Sequence, residues 1–262
     1  MSANQGEGAV VTGAASGIGR AIAAGLAADG FFVVIADLDE AKGRAAAKEI
    51  AASNKGRAIF QRVDVTDRTS VSAAIDACTR EFGSIKIMVN NAGFNKPEPF
   101  LDASEAIWHK IMNVNALGVM IGIQEAAKAM IAAGTKGKII NTASIAGRTG
   151  YPDFAPYCAS KFAVVALTHA GARALAGNGI TVNAFAPGVV DTPLWERLDK
   201  DLMAMGVSSA PGEAMENFSS AILLRRVAKP SDVVGTVRFL ASPASDYMTG
   251  QVLMIDGGMI LQ

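Results

Sequence analysis

Gly8-Ala-Val-Val-Thr-Gly-Ala-Ala-Ser-Gly-Ile-Gly19 is the stretch on which the fold turns. Gly8–Thr12 is an apolar run without polar alternation, the pattern of a strand covered on both faces. Gly13, Gly17 and Gly19 then form a tight turn into a helix expected over Gly17–Asp29. Glycine is needed where the backbone takes positive φ or comes close to a ligand. The first turn of the helix offers unpaired N–H groups and a partial positive charge, the ingredients of a pyrophosphate cradle. The spacing G-x-x-x-G-x-G is longer than the G-x-G-x-x-G fingerprint, and a glycine cluster taken alone is more often a plain turn.

The same rhythm continues outward from this unit. Further β-type runs fall at Phe32–Ala36, Ala58–Val63, Ile85–Asn90, Lys138–Ala143, Thr181–Ala186 and Gln251–Ile255. Helical segments alternate with them near Glu40–Ser53, Asp67–Phe82, Ser104–Ala133, Phe154–Ala176 and Ser231–Ala241. Alternating βαβ units predict an α/β fold: a doubly wound, parallel, seven-stranded sheet with right-handed crossovers and helices on both faces. No Pro/Ser-rich linker or fixed-period repeat interrupts 1–262, so one domain is expected. The stretch of about 189–225 carries helical patches but no strand. An excursion of that length after a strand end reads as a substrate lid.

Composition narrows the function. Half of the 262 residues are hydrophobic, and 24 Lys+Arg balance 24 Asp+Glu. A net charge of zero argues against nucleic acid or an acidic membrane surface as partner. No uninterrupted apolar run reaches the ~18 residues of a spanning helix, and Met1–Gly8 lacks a basic-then-apolar leader pattern. Cys78 and Cys158 lie in different expected helices, which points to free thiols and a reducing, cytoplasmic setting. His109 and His169 are isolated and no His/Cys/Asp cluster has ligand spacing, so no metal is expected.

Asp37 ends the second strand, close to the ~20-residue offset at which an acid binds the adenosine ribose hydroxyls. It could instead serve the following helix, where Asp39 and Glu40 are equally placed. An anion there repels a 2′-phosphate, and its neighbours Ser16 and Leu38 are uncharged, so NAD is expected rather than NADP.

Tyr157 and Lys161 are four residues apart in Ala155-Pro-Tyr-Cys-Ala-Ser-Lys-Phe162. On a helix this spacing sets their Cβ atoms ~5–6 Å apart on one face. A free phenol has a pKa of ~10, and bringing it near neutrality requires ~3–4 kcal/mol. One cation at ~4 Å in an effective dielectric of ~20 supplies about that much. The expectation is a phenol lowered by Lys161 and able to act as general acid or base. Ser144 ends the fifth strand at the same rim of the sheet and can donate a hydrogen bond to a reacting oxygen.

Thr12–Gly19, Asn90-Asn-Ala-Gly93, Asn115, Ser144, Tyr157-x-x-x-Lys161, Pro187-Gly188 and Ile255-Asp-Gly-Gly258 occur in an order that resembles the short-chain dehydrogenase/reductase family over essentially the whole chain. The resemblance implies a Rossmann-like oxidoreductase with a catalytic tetrad of Asn115, Ser144, Tyr157 and Lys161. It implies that Lys161 also holds the nicotinamide ribose and that Asn115 positions a water linking Lys161 to solvent. It implies a cofactor cradle of Gly13, Ser16, Gly17, Ile18, Gly19, Asp37, Leu38, Asp64, Val65, Asn91, Ala92, Gly93, Tyr157, Lys161, Pro187, Gly188, Val190 and Thr192. Asp64 serves equally well as a helix cap on this reading.

Asp29–Asp37, Gly179–Gly188 and Ser245–Gln251 are similar to the acetoin/diacetyl-reducing, butanediol-oxidising members of that family. This similarity implies a small uncharged ketone or secondary alcohol as substrate. Ser144, Ile145, Tyr151, Tyr157 and Trp195 would line its site. Ile145 and Tyr151 depart from the polar residues of the meso-type butanediol enzymes. A polyol dehydrogenase, a 3-oxoacyl reductase and a non-catalytic dinucleotide sensor stay open as alternatives. The lid bears two cations, Arg197 and Lys200, against five acids: Glu196, Asp199, Asp201, Glu213 and Glu216. That balance disfavours an acyl-carrier substrate. The long, all-round apolar helices fit burial in a core or between subunits, and the resemblance implies a homotetramer.

Overall fold

A computed structural model describes residues 6–53 and 57–261. Seven parallel strands form one sheet: β1 (Gly8–Thr12), β2 (Phe32–Asp37), β3 (Ala58–Arg62), β4 (Ile85–Asn90), β5 (Lys138–Thr142), β6 (Thr181–Pro187) and β7 (Val252–Ile255), in the order β3-β2-β1-β4-β5-β6-β7. The order reverses between β1 and β4, and the crevice beyond that switch point is where open α/β sheets bind ligands.

Nine α-helices accompany the sheet among the described residues: α1 (Gly17–Ala28), α2 (Glu40–Ser53), α3 (Arg68–Phe82), α4 (Glu105–Met112), α5 (Gly118–Ala132), α6 (Ala155–Leu175), α7 (Pro193–Ala204), α8 (Glu213–Ser219) and α9 (Pro230–Ala241). The strands are buried from both sides by two apolar clusters. Ile22, Leu26, Ile50, Val233 and Val237 of α1, α2 and α9 cover one face. Val71, Ile75, Val119, Met130 and Val164 of α3, α5 and α6 cover the other. That double burial explains why the strands read as continuous apolar runs.

The expected helix Ser104–Ala133 is interrupted. Between α4 and α5, Asn113–Leu117 forms a π-turn, which inserts one residue and re-aims the side chains after it. The whole stretch Glu105–Ala132 is long and apolar enough, by length and composition alone, to cross a membrane. In this fold α5 packs on β4, α3 and α6.

The 189–225 excursion contains α7 and α8. Its base is pinched where Ala228 N–H donates to Val189 O (3.1 Å) and Asp191 N–H to Ala228 O (2.9 Å). Above the base, Leu198, Leu202 and Ala214 form a third small apolar cluster with Ala146, Phe154 and Cys158. The excursion therefore has its own core, shared with the N-terminal end of α6. Cys78 and Cys158 are both buried free thiols, and burial pushes the Cys78 thiol up to about 12.

Candidate active site

At the C-terminal edge of the sheet lies a cleft of about 580 Å³. It gathers the ends of β1, β2, β4, β5 and β6 with the faces of α4, α6 and α7. Every expected site residue lines it except Asn115.

The cofactor end is built from backbone. Gly13 and Gly17 take φ of +65° and +55°, a region that other residues avoid. A Cβ on Gly19 would stand 2.2 Å from Gly13 O, so the turn closes only with glycine there. The loop is braced from β4: Asn91 Nδ2 donates to Thr12 O (3.0 Å) and Gly13 O (3.3 Å), while Asn91 and Ala92 N–H groups donate to Thr12 Oγ1 (3.0 Å each). Ser16 caps α1 without a side-chain hydrogen bond, so the first N–H groups of α1 face the cleft for an anion.

The Asp37 carboxylate is fixed by the N–H groups of Ala15 (2.9 Å, to Oδ2) and Asp39 (3.0 Å, to Oδ1). The sheet register adds a neighbour that chain proximity did not reveal: Arg62 of β3 stands opposite Asp37. Arg62 is exposed and outside the cleft wall, whereas Asp37 and Leu38 are in it. The two readings of Asp64 separate as well. Asp67 caps α3 by accepting from Thr69 N–H. Asp64 Oδ1 instead accepts from Thr66 N–H and Oγ1 (2.9 and 2.7 Å), a local turn that leaves Asp64 and Val65 on the cleft wall.

The reacting end is built from α6 and β5. Tyr157 and Lys161 share one face of α6, with Lys161 Nζ 5.5 Å from the Tyr157 ring centroid. Nζ donates to Thr142 O at 2.7 Å. Ser144 pulls on the Tyr157 phenol in the sense that lowers its pKa, and its Oγ accepts from Ala146 N–H (3.1 Å). The charge balance differs from the sequence expectation. Burial pushes the Tyr157 phenol up to about 12, against the opposing pull of Ser144. Burial also pushes Lys161 down to about 8. Desolvation acts on both groups at once and outweighs the attraction of one cation for a phenolate. At neutral pH the pair is an uncharged phenol beside an ammonium.

The side chain of Asn115 has a structural part beside its expected role. It is fully buried in the π-turn and does not reach the cleft. Its Nδ2 donates to Phe94 O (2.9 Å) and Ser160 Oγ (3.1 Å), and its Oδ1 accepts from Phe94 N–H (3.0 Å). Ser160 in turn donates to Tyr157 O (2.7 Å). The side chain clamps the loop after β4 to α6.

The substrate end is aromatic. Phe218 of α8 meets Trp195 at 5.7 Å, Phe154 at 5.6 Å and Tyr151 at 5.9 Å between ring centroids. The five lid acids turn away from the cleft; the cations in its wall besides Lys161 are Lys110 and Arg197. Glu213 ties down Ser209 and Ala210, and Asp199 accepts from Gly212. Glu213 and Asp199 thus hold the lid's own loop, while Asp201 reaches Lys96 outside it. Phe94, Asn95, Lys110, Val114 and Phe154 line the cleft without having been singled out in the sequence. Phe94 and Asn95 follow the strand-end motif Asn90–Gly93 directly, and Lys110 and Val114 share a helix face at i, i+4. Both signals were present.

A glycine cradle, an acid at the end of β2 and a Ser–Tyr–Lys cluster at one switch point define a nicotinamide-dinucleotide oxidoreductase that acts on CH–OH groups, and the chain belongs to the short-chain dehydrogenase/reductase family. Residues 13–260 match the family described as enoyl-(acyl carrier protein) reductase. The chain is 45% identical to L-2,3-butanediol dehydrogenase of Corynebacterium glutamicum over 96% of its length and 98% of the relative's. It is 42% identical to diacetyl reductase, (S)-acetoin forming, of Staphylococcus epidermidis, with the same coverage. A crystal structure of a short-chain type dehydrogenase/reductase from Mycobacterium marinum superposes with a TM-score of 0.88 at 36% identity, covering 98% of this chain and 97% of that one.

Proposed function

We propose that this protein is an NAD-dependent reductase and dehydrogenase of acetoin, diacetyl and 2,3-butanediol. One observation carries the reading: the reacting Ser144–Tyr157 pair opens into a cleft end walled by Ile145, Tyr151, Phe154, Trp195 and Phe218, which suits a small uncharged ketone. The names of the two enzyme relatives support it.

The residues fit a dinucleotide. The N–H groups of Gly17, Ile18 and Gly19 would take the pyrophosphate, and Asp37 the adenosine ribose. Asp64 and Val65 would flank the adenine, and Asn91, Ala92 and Gly93 the middle of the cofactor. Pro187, Gly188, Val190 and Thr192 would hold the nicotinamide end with Lys161. Bound there, the cofactor supplies the hydride and, when oxidised, a positive ring charge. Tyr157, neutral at pH 7, delivers its proton to the carbonyl oxygen during reduction. Ser144 donates a hydrogen bond to that oxygen as charge builds on it. Lys161, anchored on Thr142 O, supplies the cation that stabilises the phenolate left behind. In oxidation the same phenol must first lose its proton, and it needs positive charge beyond Lys161 to do so. Asp37 supports NAD over NADP, because a fixed carboxylate opposes a 2′-phosphate.

A homotetramer belongs to the same reading, since Trp108, Ile131 and Phe162 stand exposed on α4, α5 and α6. Two buried free thiols suit the cytoplasm. The test is a panel of initial rates with diacetyl, acetoin, fructose and a 3-oxoacyl thioester, each with NADH and NADPH. The expected result is fastest turnover of diacetyl or acetoin with NADH. Faster turnover of fructose or the thioester, or equal use of NADPH, contradicts the corresponding part.

A further inference from the structure

Four buried side-chain polar atoms among the described residues have no hydrogen-bond partner: Asn95 Oδ1, Thr181 Oγ1, Asp199 Oδ1 and Ser208 Oγ. Of these residues only Asn95 lines the cleft. A buried acceptor left unmade is costly and uncommon. In the wall of a ligand site, its natural partner is a donor that arrives with the ligand.

Asn95 is also held in place from both sides. On one side Phe94 is fixed by its two backbone hydrogen bonds to Asn115. On the other, Lys96 Nζ reaches Asp201 Oδ1 of α7 at 3.8 Å, and Pro97 is buried. The amide therefore sits between the floor of the cleft and its lid. The two hydroxyls of Ser144 and Tyr157 are occupied with the reacting oxygen. Ile145, Phe154 and Phe218, which share the cleft wall, offer no acceptor at all.

Resting on the acetoin reading above, we propose that Asn95 is the residue by which the enzyme selects a neighbouring hydroxyl: its side-chain oxygen accepts the O–H on the carbon next to the reacting carbonyl. Acetoin and 2,3-butanediol carry such a donor; diacetyl, whose neighbouring group is a second carbonyl, and a simple ketone such as 2-butanone do not. A site built to hydrogen-bond a substrate hydroxyl discriminates strongly against the analogue that lacks it. Tyr151 is the competing group, because its phenol is also in the wall.

The experiment compares kcat/KM for acetoin and 2-butanone, with NADH, in the wild type, Asn95→Ala, Asn95→Leu, Asn95→Asp and Tyr151→Phe. Asn95→Ala is expected to lower the acetoin/2-butanone ratio by at least ~10-fold, chiefly through the KM for acetoin, leaving 2-butanone within about twofold. Asn95→Asp keeps an acceptor and is expected to retain the preference within about threefold. Asn95→Leu, of similar volume without an acceptor, gives the same readout should the alanine variant not fold. An unchanged ratio in the Ala and Leu variants, an equal loss on both ketones, or a collapse of the ratio in Tyr151→Phe alone overturns the proposal. A wild type that reduces neither ketone contradicts the acetoin reading instead. Asn95 is then judged by the same ratio between a vicinal polyol and its single-hydroxyl analogue.

Discussion

The two ends of the cleft are held by different means. The cofactor end is backbone: glycine turns, strand termini, free N–H groups of α1 and side chains such as Asn91 that bind main-chain carbonyls. The substrate end is side chain on side chain, with Phe218 of α8 between Trp195 of α7 and Tyr151 and Phe154 ahead of α6. A backbone-built site tolerates almost no change of shape. A side-chain cluster on an excursion that lies outside the sheet and is pinched at its base by Val189 and Ala228 can be repacked without disturbing the sheet. The family's common chemistry belongs to the first end, and substrate choice to the second.

This contrast can be broken in three ways, from the largest expected effect to the smallest. Gly19→Ala puts a methyl 2.2 Å from Gly13 O, and the loop must shift. NAD affinity, measured by calorimetry, should fall by at least ~10-fold, about 1.4 kcal/mol or more. Unchanged affinity would show that the turn is not the cradle. The second test is pH. Lys161 is held down to about 8, so it is charged below that value and loses its proton above it. The rate of ketone reduction should be flat from about pH 6 to 7.5, then fall toward tenfold for each further pH unit beyond 8. A rate that keeps rising through pH 9 would mean that the ammonium is not needed. Phe218→Ala removes the hub of the aromatic cluster. The ketone KM should rise ~3- to 10-fold with NAD affinity unaltered. A parallel loss of NAD affinity would mean that the two ends are not separable.

Legibility followed the same division. Strand and helix limits were readable to within a residue or so because covered parallel strands are continuous apolar runs and because the helix starts carry caps, such as Asp67 before α3 and Pro230 opening α9. Glycines whose positions are fixed by the backbone, like Gly13 and Gly19, also announce themselves. The π-turn at Asn113–Leu117 left no mark, since Asn-Val-Asn-Ala-Leu suits a regular helix equally well. Its consequence, Asn115 turned inward to clamp Phe94, was hidden with it. Arg62 beside Asp37 and Phe218 beside Tyr151 were out of reach for another reason. Each contact joins elements distant in the chain, and only the sheet register and the lid's own core bring them together. The inverted balance of Tyr157 and Lys161 is of the same kind. Spacing shows that two groups are neighbours; it does not show how completely both are withdrawn from water.

The central claim is that the Tyr157 phenol, uncharged at neutral pH, donates the proton and Lys161 stabilises the phenolate left behind, while the glycine cradle only holds the cofactor. Single-turnover reduction of acetoin by Tyr157→Phe, with NADH binding titrated on the same sample, tests it most directly. The account predicts binding within about twofold of the wild type and a rate lower by at least ~10², the scale of general acid catalysis. Wild-type turnover in that variant would contradict it.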